Sequence, residues 1–316
     1  MNKNVENVSF YEFNKVYGFW GKKNISSQVR FPQSQEKLID VSHNSLGIRE
    51  TEIGKKIKAK RILCFGGSHT WGAGMEDKYR YSNLLNSNSK YESFNFGQCS
   101  FSLEQIYLLI KKVVKEFETD LVVIEQYPWS LTRSINPFIN SYIRPLFLKK
   151  NNNFQQMKIR QHYKIKLIRN FIGNYLKFKK DFIEYYNEIH LLDDEKKYID
   201  PIYKKSFESY YYEMYEIVEY VIKLISEFCK KNNLKLLFLV TPSKDELFNK
   251  IVSEEIDYSL PRLNLIRILN KNQINFVDVC NEFKSEFSVA HPIYQDGHAN
   301  EKGHSIIAKN IFSRYL

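Results

Sequence analysis

The sequence has no apolar run that could cross a bilayer as a helix: its densest stretch, LLFLV at 236–240, is far below the ~18 apolar residues such a span requires. That excludes an integral membrane protein built on spanning helices. The first residues, MNKNVENVSFYEFNKVYGFW, lack the ~7–15-residue apolar core of a secretory signal. A cytoplasmic protein is therefore expected. Cysteine is scarce, and Cys64, Cys99, Cys229 and Cys280 lie far apart with no CxxC pair. This fits neither a disulfide framework nor a zinc site, so reduced thiols and no metal or other cofactor are expected.

What the chain does have is apolar material. It holds 316 residues, 43% hydrophobic and 15% aromatic, with a mean hydropathy of −0.45. A chain of this length encloses a large core and divides into one large domain or two small ones. The formal charge is +11, and nine of those charges come from residues 130–205, with 16 basic and 7 acidic side chains. The basicity belongs to one segment.

Five short runs at 61–68, 93–97, 120–127, 235–242 and 275–281 read as strands bounded by turn residues. Several are apolar without alternation (ILCF, LVVI, LLFLV), the pattern of strands covered on both faces in a parallel sheet. Helical periods lie between them. Leu103, Ile106, Leu109, Ile110, Val113 and Val114 line one side of a helix, and 216–228, 262–269 and 304–315 repeat the pattern. Strand-helix alternation predicts a three-layer α/β fold on a five-stranded parallel sheet. Ligands of such sheets bind at the strands' carboxyl ends. Residues 1–59 are read as an N-terminal extension packing on a domain of 60–316. The interval 130–205 is read as a helical insertion, amphipathic over 163–186. No repeat is present, and the low-complexity patch KKNNN at 149–153 is read as a loop.

The chemistry-bearing residues fall after the strands. The first ends in Gly66-Gly67-Ser68-His69-Thr70-Trp71-Gly72, where two glycines permit a sharp turn that exposes the serine hydroxyl. The second ends in Asn95-Phe96-Gly97-Gln98, where a glycine N–H can face the same crevice. After the fifth comes Asp296-Gly297-His298, close enough for the carboxylate to orient the imidazole. All three project from one edge of the sheet.

Together these blocks resemble the SGNH (GDSL-type) hydrolases. GGSHTWG is similar to the nucleophile block, NFGQCSFSLEQ to the glycine block and DGHANEKGHSIIA to the Asp-His block with its trailing helix. HNSLGIR at 43–49 and Thr241-Pro242 extend the resemblance, which covers about 43–128 and 206–316 and leaves the basic insertion outside. It implies a five-stranded flavodoxin-like sheet and a serine ester hydrolase. Ser68 would be the nucleophile, His298 its general base and Asp296 the orienting carboxylate, with the N–H groups of Ser68 and Gly97 forming the oxyanion hole. A weak serine nucleophile needs such a base, and a tetrahedral oxyanion needs preorganised donors.

One departure stands out. The family's third block supplies an Asn side chain as a further oxyanion donor, whereas this chain runs Glu125-Gln126-Tyr127-Pro128-Trp129-Ser130. Trp129 occupies the expected place. Loss of one such donor costs about 2.7–4 kcal/mol of barrier. Gln126 is a candidate replacement, and His69, Gln126 and Trp129 are candidate substrate-binding residues. His291, which could substitute as base but lies outside the Asp-Gly-His unit, is read as structural, His304 as packing locally, and Cys99 as a small buried residue. Of Tyr210, Tyr211 and Tyr212, packing or solvent takes most positions.

The basic insertion is read first as a solvated helical face and second as a lid that attracts an anionic substrate. With no recognition motif, a nucleic-acid partner is not expected. The expected function is hydrolysis of an O-acylated carbohydrate or small ester. The rivals are a glycan O-acyltransferase using the same triad and a non-catalytic binding protein.

Overall fold

The computed structural model describes residues 9–31, 38–136, 138–139, 142–150, 153–156, 201–206, 209–248, 255–287, 293–295 and 297–316. The five apolar runs form one sheet from β1 (Lys60–Phe65), β2 (Tyr91–Asn95), β3 (Leu121–Gln126), β4 (Lys235–Val240) and β5 (Phe276–Asp278). Its order is β5-β4-β3-β1-β2, and every pairing is parallel. The register sets Cys64 beside Asn95, Phe65 beside Ile124, and Val240 beside both Gln126 and Asp278. The carboxyl ends therefore share one rim.

The helices are α1 (Ser68–Trp71), α2 (Tyr81–Leu84), α3 (Leu103–Glu116), α4 (Ser209–Lys231), α5 (Lys244–Phe248), α6 (Leu260–Lys271), α7 (Cys280–Glu286) and α8 (Glu301–Arg314). Because side chains alternate along a strand, a run without polar interruption needs cover on both sides. Leu63, Phe65, Val122, Ile124, Phe238 and Val240 pack with α3, α4 and α6. Ile62, Cys64, Val123, Leu237, Leu239 and Val277 pack with α7 and α8. This is a three-layer α/β architecture, as the alternation predicts.

All six stripe residues of α3 are buried, and its start is fixed by a capping box. Ser102 Oγ accepts from the Gln105 N–H at 3.5 Å, and Gln105 Oε1 accepts from the Ser102 N–H at 2.8 Å. The last helix starts three residues before the 304 expected from periodicity. Asn300 caps it, its side-chain oxygen accepting from the Gly303 N–H at 3.1 Å.

The N-terminal residues form two hairpins, Tyr11–Asn14 with Gly18–Gly21 and Ser26–Arg30 with Leu38–Ser42. Tyr17 and Phe19 enter the main core beside Phe101. The adjoining HNSLGIR segment braces the chain beyond α1. The buried Arg49 donates from Nη1 to Gly72 O and from Nη2 to Met75 O, both at 2.7 Å, and pairs through Nε with Asp77 at 2.8 Å.

The expected helical insertion is corrected over its described part. After a 3-10 helix at Pro128–Ser134 come two antiparallel hairpins, Phe138–Ile139 with Tyr142–Ile143 and Phe147–Lys150 with Asn153–Gln156. Aromatic side chains explain the pairing: Phe147 and Phe154 pack on Tyr220 of α4 with centroids 5.4 and 4.4 Å away, the cross-face contact that favours strands. The amphipathic stretch 163–186 lies outside the described residues. Among the described residues no helix is long and apolar enough to cross a membrane.

Candidate active site

Ser68 opens α1 directly beyond β1. The backbone must pass the Gly67 position beside another side chain: a Cβ there would lie 2.9 Å from Arg133 Nη1. On the far side of the site, β6 (Tyr294–Gln295) and β7 (His298–Ala299) form a small antiparallel hairpin, and Gly297 in its turn has φ +85°. The Tyr294 hydroxyl donates to Pro242 O and so ties this hairpin to the end of β4. His298 Nε2 lies 2.8 Å from Ser68 Oγ, both groups half-buried. That is proton-transfer distance between a hydroxyl and a base. Asp296 and His291 lie outside the described residues.

His69 is placed differently from a substrate-contacting surface group. It is buried, with its ring stacked on Tyr127 at 4.5 Å and 20° and tilted against His298 at 4.8 Å. Burial pushes its pKa well below the ordinary imidazole value, and the neighbouring His298, His304 and Arg133 add to this. A neutral ring thus supports the face of the His298 imidazole. His304 is also buried, accepting from the Tyr81 N–H at 3.0 Å through Nδ1, and burial lowers its pKa to about 3. It packs locally, as expected.

Gly97 is brought to the rim, but its N–H is turned inward and donates to Asn95 Oδ1 at 2.9 Å. The N–H expected to serve an oxyanion is thus engaged by a side chain. The structure gives the glycine a packing reason instead: a Cβ would lie 2.5 Å from Trp71 N and 2.8 Å from the Thr70 carbonyl carbon. Asn95 clamps the same place from beneath, donating to Thr70 O and, at 2.8 Å, to Ser82 Oγ. Gln126 is buried and donates to Ser130 Oγ and, at 3.3 Å, to Tyr127 O. Its amide closes the turn after β3 and is not presented as a replacement donor. Trp129 lies on that turn, 40% exposed at the surface.

Two charged residues that sequence reasoning missed sit under and beside the Ser68 turn. Glu125, at the end of β3, is 2% exposed and accepts from Thr70 Oγ1 and Thr241 Oγ1, each at 3.4 Å. Burial pushes its carboxyl up to about 7, opposed by the Arg133 charge, by those hydroxyls and by the Gly67 N–H. An acid closing the apolar run LVVI was the available signal. Arg133 comes from the turn after β3, and Nη1 donates to Phe101 O at 2.8 Å. Burial lowers its pKa to about 10, so it stays charged at neutral pH. Nothing local in the sequence separates it from the other basic residues that follow it.

No protein-family model matches the chain, and no curated protein matches it. Among solved structures it is similar to an acetyl xylan esterase, AlAXEase, with 12% identity over 81% of this chain and 100% of that one and a TM-score of 0.46. It is also similar to a member of the lipolytic protein G-D-S-L family from Veillonella parvula, with 11% identity, 81% and 98% coverage and a TM-score of 0.42. A GDSL-like lipase from Bacteroides thetaiotaomicron gives 13% identity, 82% and 90% coverage and a TM-score of 0.40. What the site can do is decided by its own side chains.

Proposed function

We propose that the chain is a serine ester hydrolase of the SGNH type, acting through an acyl-serine intermediate on an O-acylated carbohydrate or related small ester. The observation that carries this reading is the 2.8 Å contact between Ser68 Oγ and His298 Nε2 at the carboxyl rim of the sheet. Ser68 Oγ attacks the acyl carbon while His298 Nε2 takes its proton. The tetrahedral intermediate collapses, the ester C–O bond breaks, and the departing alcohol leaves with that proton. Water then attacks the acyl-serine, with His298 again as base, and releases the carboxylic acid. Asp296, two residues before His298, takes the orienting role. The Ser68 N–H has no hydrogen-bond partner among the described residues and is left to serve the developing oxyanion. Exposed Trp129 supports a sugar-bearing substrate, because an indole offers an apolar face with a polar edge.

The test is hydrolysis of p-nitrophenyl acetate by Ser68→Ala and His298→Ala. Ser68→Ala should lose turnover while keeping its circular-dichroism spectrum, and His298→Ala should fall by about 100- to 10,000-fold, the usual share of a general base. Undiminished turnover in folded Ser68→Ala removes this serine from the reaction.

A further inference from the structure

An acyl-transfer site needs more than one preorganised donor for its oxyanion, and here the expected set is depleted. The Gly97 N–H is held by Asn95, the usual side-chain donor is replaced by Trp129, and the Gln126 amide is bound to Ser130 and Tyr127. The Ser68 N–H remains.

Beside it lies Arg133. Its Nη1 touches the one face of Gly67 where any other residue would place a Cβ, so the guanidinium lies against the residue that precedes the nucleophile. Phe101 O anchors it through one N–H at 2.8 Å, from the loop that leads into α3. An arginine carries five N–H donors, and the other four have no hydrogen-bond partner among the described residues. The Glu125 carboxylate below is a counter-charge, yet the hydroxyls that bind it are those of Thr70 and Thr241. Arg133 is therefore a fixed cation with spare donors at the wall of the site.

We propose that Arg133 is the second oxyanion donor, taking the place of the missing third-block Asn and of the inward-turned Gly97 N–H. The assignment rests on Ser68 being the nucleophile. As the Ser68 Oγ bond to the acyl carbon forms and its proton passes to His298, the carbonyl π pair moves onto oxygen. That oxygen accepts from the Ser68 N–H and from an Arg133 N–H. On collapse the pair returns to the carbonyl, the ester C–O bond breaks and His298 protonates the alcohol. An Arg at this position strengthens only when charge develops, so it acts on kcat more than on KM.

The experiment is steady-state hydrolysis of p-nitrophenyl acetate, a neutral ester, by Arg133→Gln and Arg133→Lys beside Ser68→Ala. Arg133→Gln should lose about 100- to 1,000-fold in kcat with KM little changed, the effect of removing one oxyanion donor. Arg133→Lys should fall between it and the parent, since one ammonium cannot hold Phe101 O and reach the oxyanion with the geometry of a fork. It also keeps the charge beside Glu125 and so serves where the Gln variant does not fold. Parental kcat on the neutral ester in either folded variant overturns the proposal. So does a loss seen only as a raised KM for esters bearing a negative charge, which would make Arg133 a substrate-charge reader. If Ser68→Ala is inactive while the Arg133 variants are unimpaired, this assignment alone falls. If Ser68→Ala turns over normally, the nucleophile falls first.

Discussion

Replacing Glu125 by Gln should change the pH dependence of stability in a definite direction. The carboxyl is 2% exposed, and burial pushes its pKa up to about 7 from the ordinary 4.5 of a glutamate. With the folded value raised, the native state holds a proton that the unfolded chain releases, so stability falls as pH rises from about 4.5 to about 7 and is flat above. The gap corresponds to about 3 kcal/mol. Glu125→Gln keeps the shape and an acceptor for Thr70 or Thr241 but cannot ionise. It should match the parent near pH 4.5 and be more stable by up to about 3 kcal/mol near pH 8. Urea unfolding of both proteins across that range reads the difference directly. Parallel stability curves for the two would refute a burial-raised carboxyl and with it the account of Glu125 as a strained counter-charge to Arg133.

Other consequences concern packing. Gly97→Ala places a Cβ against the backbone of Trp71 and Thr70 and should destabilise by about 1–3 kcal/mol, as overpacking does, with esterase activity lost at the same time; thermal melts and p-nitrophenyl acetate turnover check both. His69→Phe retains the ring between Tyr127 and His298 and should keep most of kcat, whereas His69→Ala removes the wall behind the His298 imidazole and should lower it. Equal rates for the two variants would contradict a supporting role for the ring. Ile110→Ala in α3, fully buried in the core, should lower unfolding free energy by about 2–5 kcal/mol, measured by urea titration.

The sheet was legible because its strands are unusually plain. LVVI at 121–124 and LLFLV at 236–240 admit no exposed face, so both their pairing and their cover by helices follow. The helix stripe from Leu103 to Val114 was legible because its apolar residues recur at helical spacing, and all six are buried. The meeting of Ser68 and His298 was legible because their types and turn glycines sit close after strands. The hydrogen-bond state of Gly97 was not, since it depends on an Asn95 side chain whose direction the local sequence does not encode. Arg133 was hidden by the charged segment that follows it, and its approach to Gly67 is set by a 3-10 turn, a feature with no periodic signature. The strands at 147–150 and 153–156 were missed because their aromatic contacts are with Tyr220, distant in sequence.

The hydroxyl and the imidazole that meet at 2.8 Å are 230 positions apart. During synthesis the serine therefore emerges long before the imidazole, and on the proposed reading a chain that has not yet presented His298 is inert towards esters. Hydrolysis, if the proposal holds, thus reports docking of the hairpin onto the sheet: removal of the segment that bears His298 should silence it even where the sheet survives.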